Sequence, residues 1–322
     1  LAPFTTDRKI PKLAYAPPQG LHLWENTEDG ILFDLFVYNY ITEIDTLSLK
    51  RNFKTDTSNK IPVRFFVKGE SYHLFGLIPL ERHLIGPVDP KAPMYLLGAD
   101  RLGRDLLSRI IYGTRISMSI GLVGVVLSLV IGVLLGGISA YYGGTTDLII
   151  QRLMEILRSM PTIPLWMGLA AAIPDFWSPE LVYFMITIIL SVIGWTWLAQ
   201  AVRGKFYSLK TEDFVIAAKL DGCSELQVIV FHMIPSFFSH IIATLTLAIP
   251  QMIIAETALS FLGIGLRPPV VSWGVLLREA QNVRVLSTSP WLFLPGIAVV
   301  IAVLALNFLG DGIRDASDPY NS

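Results

Sequence analysis

Long stretches without a charged residue alternate with short polar segments beyond residue 115 of this chain. Four of these stretches are long enough to cross a membrane as helices, because about 20 apolar residues span roughly 30 Å of hydrocarbon. They are bounded by Arg115 and Asp147, Glu180 and Arg203, Glu225 and Glu256, and Arg284 and Asp311. This pattern predicts an α-helical polytopic membrane protein.

A fifth stretch, 147–173, is apolar only after its first turns. Arg152, Glu155 and Arg158 stand three residues apart there, which places opposite charges on one helical face where each can pair with the next. We therefore predict a fifth span that enters the membrane through a charged interfacial collar.

Small residues in the first stretch predict contacts between helices. Gly132, Gly136 and Ala140 follow the spacing that lets two helix backbones approach closely. Pro161 and Pro250 interrupt helical hydrogen bonding, which neighbouring helices or a watery cavity must then satisfy. Plain helix packing accounts for any one of these residues alone, but together they predict a bundle rather than an anchor.

The first 115 residues have a different pattern. Short β-rich runs at 31–40 and 63–67 are separated by turn-forming residues such as those at 56–59, which predicts an α+β domain over 1–93. The segment 94–116 has apolar residues at helical spacings with charges among them, which predicts an interfacial amphipathic helix leading into the membrane.

Composition agrees with this division. Apolar residues make up 52% and charged residues 16% of the chain, too few charges for an ordinary soluble fold. Residues 1–115 contain 15 basic and 13 acidic residues, whereas the much longer 116–322 contains only 10 and 13. The net charge of −1 gives no basic surface for nucleic acid. The single Cys223 excludes an internal disulfide and a cysteine-built metal site.

The orientation of the chain is only weakly encoded. Either a first transmembrane helix is absent from this sequence and the N-terminal domain is extracytoplasmic, or that domain is cytoplasmic. The loop after the second charge-free stretch contains four Lys and Arg residues, against three in the loop before the last stretch. This bias favours a cytoplasmic location for the former loop, and we expect the N-terminal domain outside.

No catalytic motif is present in the sequence. It lacks GxxxxGK[ST], HExxH and GxSxG, and its five His residues are scattered. We therefore expect a non-catalytic protein that binds neither nucleotide nor metal itself.

The loop with four basic residues contains the remaining candidate for function. Thr211 can cap a helix whose first turn carries Asp213, where a negative charge complements the helix dipole. Phe214, Ala217 and Ala218 then fall at i, i+3 and i+4 and form a narrow apolar stripe. We expect this stripe to dock another protein.

A second short helix is predicted after Gly222, which can end the first one. Ser224 and Gln227 form a capping-box pattern that begins this helix, and Pro235 marks the break before the next span. One face of the second helix is expected to hold Leu226, Ile229, Val230 and Met233.

These two helices resemble the EAA loop of binding-protein-dependent ABC importers, whose coupling helix docks in a groove of the ATPase subunit. The resemblance rests on Ala217, Ala218, Gly222 and Pro235, which have the order and spacing of the family's motif. Ile216 replaces the Glu that is usual in that motif. Further matches to the dipeptide, oligopeptide and nickel branch lie at 97–105, 213–215, 232–235, 256–263, 268–269, 272–274 and 309–315. The chain is similar to the second, C-type transmembrane subunit of that branch.

The resemblance implies a type I ABC importer permease bundle over 117–322, with a coupling loop at 211–235. The N-terminal 1–93 would be an enlarged first external loop. The residues that would couple to the ATPase are Asp213, Phe214, Ala217, Ala218, Gly222, Ile234 and Pro235.

The resemblance also implies the partners and location of the chain. It predicts a homologous second permease, two ABC ATPase subunits that bind ATP and Mg, and an extracytoplasmic solute-binding protein. The chain itself would bind no cofactor. It would cross the cytoplasmic (inner) membrane of a prokaryote several times, with the coupling loop and the C-terminus cytoplasmic, and carry peptides or similar small solutes.

Glu256 and Trp273 are candidates for an external gate or pathway, since ionisable groups at membrane depth are usually functional. The alternative is an interfacial Glu256 bonded to the Trp273 loop.

Two other functions stay open. One is an ion-driven secondary transporter, which would require mid-membrane charged pairs and an inverted repeat. The other is a membrane-tethered binding or signalling protein.

Overall fold

The structure is a computed structural model that describes residues 2–27, 30–44, 51–74 and 78–316. The chain divides into two compact units. The first unit contains Leu1–Ile116 and Val271–Ala298, and the second contains Ser117–Val270 and Val299–Ser322. The first unit therefore includes a segment, Val271–Ala298, that extends into the last charge-free stretch and that the sequence had grouped with the permease bundle.

The first unit is built around two antiparallel sheets. The small sheet pairs β1 (Glu25–Thr27) with β2 (Gly30–Leu32), and the larger has the order β3-β4-β5, formed by β3 (Phe36–Ile44), β4 (Arg51–Leu74) and β5 (Ile78–Pro87). Val37, Val63 and Met94 are fully buried on the larger sheet. Alternation of apolar and polar residues along these strands supplies that core.

The turn predicted at 56–59 is instead an interruption within β4. Tyr38 pairs with Lys60 and Asn39 pairs with Asp56, so the three residues between Asp56 and Lys60 have no partner on β3. The Ser58 N–H donates to Asp56 Oδ1 at 3.1 Å, a local bond typical of turn-forming residues. These residues therefore form a bulge in a long strand rather than a chain reversal.

The amphipathic helix predicted over 94–116 is not a separate element. Residues 94–105 form turns, because Gly98 and Gly103 have φ of +81° and +71°. Helix α1 (Leu106–Tyr142) then begins, and Asp105 caps it by accepting the Ser108 N–H at 2.8 Å. The apolar spacing of 106–116 thus belongs to the start of a long helix.

Four segments among the described residues are long and apolar enough to cross a membrane: Leu106–Tyr142, Pro179–Leu209, Thr244–Phe261 and Pro290–Ala316. The first is α1. The second is α4 (Pro179–Leu209), which follows α2 (Gly144–Ser159) and α3 (Thr162–Ala171). These spans confirm the four predicted from the charge-free stretches.

The fifth predicted span, 147–173, is divided into two helices. Met160 has an extended backbone and Pro161 precedes α3, so the hydrogen-bond ladder stops there. Neither α2 nor α3 has the length to cross a bilayer alone. The predicted fifth span is therefore not among the four candidate spans of the described residues, and the break falls at Pro161, where the sequence predicted an interruption of helical hydrogen bonding.

In the second unit, α1 and α4 pack at close range. A β-carbon added at Gly136 would lie 2.4 Å from the Ala199 carbonyl oxygen and 3.0 Å from its Cα. One added at Gly132 would lie 2.8 Å from Leu198 Cβ. The small residues therefore permit the backbone contact that their spacing predicted.

Gly136→Ala should destabilise the protein by about 1 to 3 kcal/mol, because the added methyl group must push α4 away. Gly204→Ala is the matched control, since a β-carbon at Gly204 meets no atom of the described residues within 4 Å. Thermal unfolding of both variants in detergent would test this. Equal unfolding temperatures for the two variants would contradict the close packing of these helices.

Candidate functional site: the coupling segment

The segment 211–235 folds as two helical pieces. The first is α5 (Asp213–Leu220), and its N-cap is Glu212 rather than the predicted Thr211. Glu212 keeps an extended ψ of 145°, and its carbonyl accepts the Ile216 N–H at 3.1 Å. The helix therefore begins one residue later than the capping preference of Thr211 suggested.

Gly222 ends α5 as predicted. It has a φ of +79°, a conformation that glycine adopts without steric cost. The Cys223 N–H donates to the Ala218 carbonyl and the Gly222 N–H to the Lys219 carbonyl, both at 3.1 Å. This pair of bonds is the Schellman motif, which satisfies carbonyls at the helix end.

The capping box at Ser224 and Gln227 is also confirmed. The Gln227 side chain accepts the Ser224 N–H at 2.8 Å, and it starts α6 (Glu225–Gln227). A π-helix follows at Val228–Met233, then α7 (Ile234–Ser236). The i→i+5 bonding of a π-helix places Val228 and Met233 on the buried side and leaves Val230 exposed. The predicted apolar face was therefore wrong at Val230.

The apolar stripe predicted on α5 is divided between two sides of the helix. Val215 and Ala218 are buried in a cluster with Tyr141, Phe206 and Phe237. Phe214 and Ala217 are exposed instead. The inward side thus fixes the helix to the bundle, while only the outward side is free to meet another protein.

The outward side of the segment carries large apolar side chains that are exposed. Leu220 is 83% and Phe231 71% exposed. We call the exposed residues of α5 and the π-helix the coupling surface: Phe214, Ile216, Ala217, Leu220, Val230 and Phe231. Of the other predicted coupling residues, Asp213, Gly222 and Pro235 are exposed, while Ile234 is partly buried against the cluster beneath. Exposed apolar side chains on a short loop make this surface a candidate interaction site.

Polar contacts hold the base of this segment. Arg203 on α4 donates from Nε and a terminal nitrogen to the two oxygens of Asp147 on α2, at 2.7 and 2.6 Å. Lys210 Nζ donates to the Tyr141 carbonyl at 2.7 Å, and Lys219 Nζ lies 4.9 Å from the centre of the Tyr141 ring. The start of the segment and α5 are therefore held to α1, and the Arg203–Asp147 pair joins α4 to α2 just before the segment begins.

Glu256 and Trp273 are both buried. Glu256 lies on α8 (Phe238–Phe261) in the second unit and accepts hydrogen bonds from Ser117 Oγ at 3.2 Å and Ser260 Oγ at 2.8 Å. Trp273 begins α9 (Trp273–Leu277) in the first unit, where its indole N–H donates to the Ile110 carbonyl at 3.1 Å. Their role in a gate stays a prediction.

The motif at 97–105 forms a buried charged cluster in the first unit. Asp100 Oδ2 lies 2.6 Å from Arg104 Nε and 3.4 Å from Arg109 Nε. Burial raises the pKa of Asp105 to about 7, although its bonds to Ser108 act in the opposite direction. Burial also raises the pKa of Glu279, whose carboxylate accepts the Arg101 N–H at 3.2 Å. This cluster therefore connects the residues just before α1 with the segment around Glu279.

A cavity of about 580 Å³ lies within the second unit. Arg158, which the sequence predicted to pair in the charged collar, lines this cavity. Arg152 pairs with Glu155 at 2.6 Å as predicted. Arg158 instead turns to α4, where it donates to the Gln200 side chain and to the Thr196 carbonyl. Neither Glu256 nor Trp273 lines this cavity. The one signal in the sequence that could have identified Arg158 as functional is its charge, because it lies within a predicted membrane span.

The family match and the curated relatives agree on one class, the inner-membrane permeases. The family described as the inner membrane component of binding-protein-dependent transport systems matches residues 104–320. The oligopeptide transport system permease protein OppC of Haemophilus influenzae is 38% identical over 70% of each chain. The dipeptide transport system permease protein DppC of Bacillus subtilis is 36% identical over 71% of this chain and 70% of its own.

Among solved structures, the inward-facing MetNI methionine ABC transporter matches 65% of this chain and 96% of its own, at 16% identity and a TM-score of 0.49. The family match alone covers more than half of the chain. This chain therefore belongs to the binding-protein-dependent transport system inner membrane components, and it is a permease subunit of an ABC importer.

Replacing the Asp147–Arg203 pair should reveal energetic coupling at the base of the coupling segment. Asp147→Asn and Arg203→Gln should each destabilise the protein, and the double variant should cost about 1 kcal/mol less than their sum. The matched control is Arg152→Gln with Glu155→Gln, an exposed pair on the same helix that should couple by only about 0.3 kcal/mol.

Unfolding in mixed detergent micelles measures all six variants. If the two pairs showed the same coupling, the partly buried bidentate pair would have no special role in fixing the segment.

Proposed function

We propose that this chain is the C-type permease subunit of a peptide importer, paired with a homologous permease. The exposed coupling surface, fixed to the bundle from below, carries this proposal. The names of the relatives, oligopeptide and dipeptide transport permeases, support peptides or similar small solutes as the cargo.

The coupling surface would dock on one of two ABC ATPase subunits. An apolar helix face on a short loop is suited to a groove on a partner protein. ATP and Mg would bind on those partner subunits, and this chain would bind neither. The loop and the C-terminus would then be cytoplasmic, with the N-terminal 1–93 outside.

The packing beneath the coupling surface supports the proposal that a displacement of α5 reaches the membrane spans. Val215 and Ala218 lie in the same buried cluster as Phe206 of α4 and Phe237 next to α8, and the two phenyl rings are 5.4 Å apart. A displacement of α5 by an ATPase would therefore move the ends of both spans. ATP shifts the permease between inward-facing and outward-facing states only if the ATPases bind one arrangement better.

The N-terminal domain is a candidate platform for the solute-binding protein or a cap over the pathway. Phe33 is 79% exposed, Phe65 62% and Phe66 65%. Exposed aromatic residues are enriched at protein interfaces. Glu256 of the second unit and Trp273 of the first stay separate candidates for an external gate.

Ala217→Glu should weaken association with the ATPase subunits about 30-fold, because it places a charge at the centre of the apolar coupling surface. Leu220→Glu should have the same effect. Neither change should lower the unfolding temperature, since both residues are exposed. Co-purification of the ATPases with the tagged permease and ATP-dependent import into vesicles are the measurements.

Two variants control for charge and for folding. Thr211→Glu adds the same charge at an exposed polar residue of the same loop and should change association less than twofold. Ala218→Glu buries a charge in the cluster and should unfold the segment. Normal association of the folded Ala217→Glu and Leu220→Glu permeases would disprove the proposed docking surface.

A further inference from the structure

The 580 Å³ cavity of the second unit is lined by residues of three candidate spans. Its wall is formed by Val125 and Ser128 of α1, residues between Leu190 and Leu198 of α4, and residues between Thr244 and Ala255 of α8. The residues from α1 and α4 lie in the central turns of two candidate spans, and those from α8 run from Thr244, the first residue of its candidate span, to Ala255. A solute inside this cavity would therefore lie beside the middle of two spans.

Arg158 is the one ionisable residue among the described residues that line the cavity. Its guanidinium donates to the Thr196 carbonyl at 2.5 Å and to the Gln200 side chain, and stacks 4.5 Å from the Trp197 ring centre. All of these partners are uncharged. Within the part of the chain that the structure describes, no carboxylate lies at ion-pair distance from Arg158, in contrast to Arg203 and Arg152.

The cavity wall also contains unsatisfied hydrogen-bond donors. Arg158 Nε and Trp166 Nε1 are buried and have no acceptor among the described residues. Gln251, Thr162 and Thr244 add polar groups to a wall that is otherwise apolar. Buried donors without acceptors are costly, and an unneutralised cation at this depth more so. Both features would be relieved by an anionic oxygen ligand.

We propose that this cavity is a transit site for the carboxylate of the transported solute, with Arg158 as the residue that binds it. The proposal rests on the proposed import function and specifies its cargo as a solute with a free carboxylate, such as the C-terminus of a peptide. The apolar and aromatic wall, including Trp166 and Trp197, accommodates the remainder of the solute. A guanidinium can bind a carboxylate through two parallel hydrogen bonds.

The test compares two labelled peptides that differ only in a free or an amidated C-terminus. The complete transporter, reconstituted in phosphatidylcholine vesicles, imports each peptide at a concentration that saturates the solute-binding protein. The measured quantity is the ratio of acid to amide import, divided by the same ratio for wild type, so that any preference of the binding protein cancels. Arg158→Gln should lower this ratio about tenfold, as expected for the loss of one charged hydrogen-bonded contact.

Matched variants separate the site from general damage. Arg158→Lys keeps the charge and should retain most of the ratio, whereas Arg152→Gln removes an exposed arginine from the same helix and should leave it unchanged. Since Arg158 also binds α4, unfolding temperature and basal ATP hydrolysis are measured for each variant. Trp166→Phe, which removes one buried donor without changing charge, is a second probe and should lower the ratio by less than Arg158→Gln.

Three outcomes would overturn the proposal. An unchanged ratio in folded Arg158→Gln shows that the arginine does not sense the carboxylate. A change that requires added anionic lipid assigns the cavity to a lipid phosphate instead. If wild type imports neither peptide while its ATPases still associate, the proposed peptide cargo is wrong, and with it this transit site.

Discussion

The segment 211–235 is buried on one side and exposed on the other, and the proposed docking surface depends on this packing. A loop that was apolar on all sides would collapse onto the bundle, and a polar one would have no preference for a partner. Val215 and Ala218 face the cluster around Phe206, which fixes α5, while Ala217 and Leu220 face outward. Because interiors are close-packed, force applied to one side is transmitted to the spans on the other.

The spans could be predicted from the sequence because the membrane imposes a simple rule. A helix that crosses hydrocarbon needs a window of about 20 mostly apolar residues with few charges, and four segments contain such a window. The fifth failed because the exclusion of charge says nothing about backbone continuity. Pro161 stops the hydrogen-bond ladder between α2 and α3, and neither of the two resulting helices is long enough to span a bilayer alone.

The coupling segment was predictable where local chemistry decides the conformation. Gly222 and the pair Ser224 and Gln227 act through backbone bonds to near neighbours, so their residue types were sufficient. Which side chains of the segment are buried and which are exposed was less predictable. The π-helix at Val228–Met233 changes the periodicity from that of an α-helix, and the side of α5 that is buried depends on Phe206 and Phe237, which are distant in sequence.

Two arginines in the second unit show how partners determine what a partly buried charge can do. Arg203 donates two hydrogen bonds to the carboxylate of Asp147, so its charge is neutralised within the protein and its role is structural. Arg158 donates to a carbonyl and an amide, which orient the guanidinium without cancelling its charge. A transit site needs this intermediate state, because a solute must bind well enough to enter and weakly enough to leave. Neutral partners that already occupy part of the guanidinium would keep the affinity for a carboxylate moderate, as transport requires.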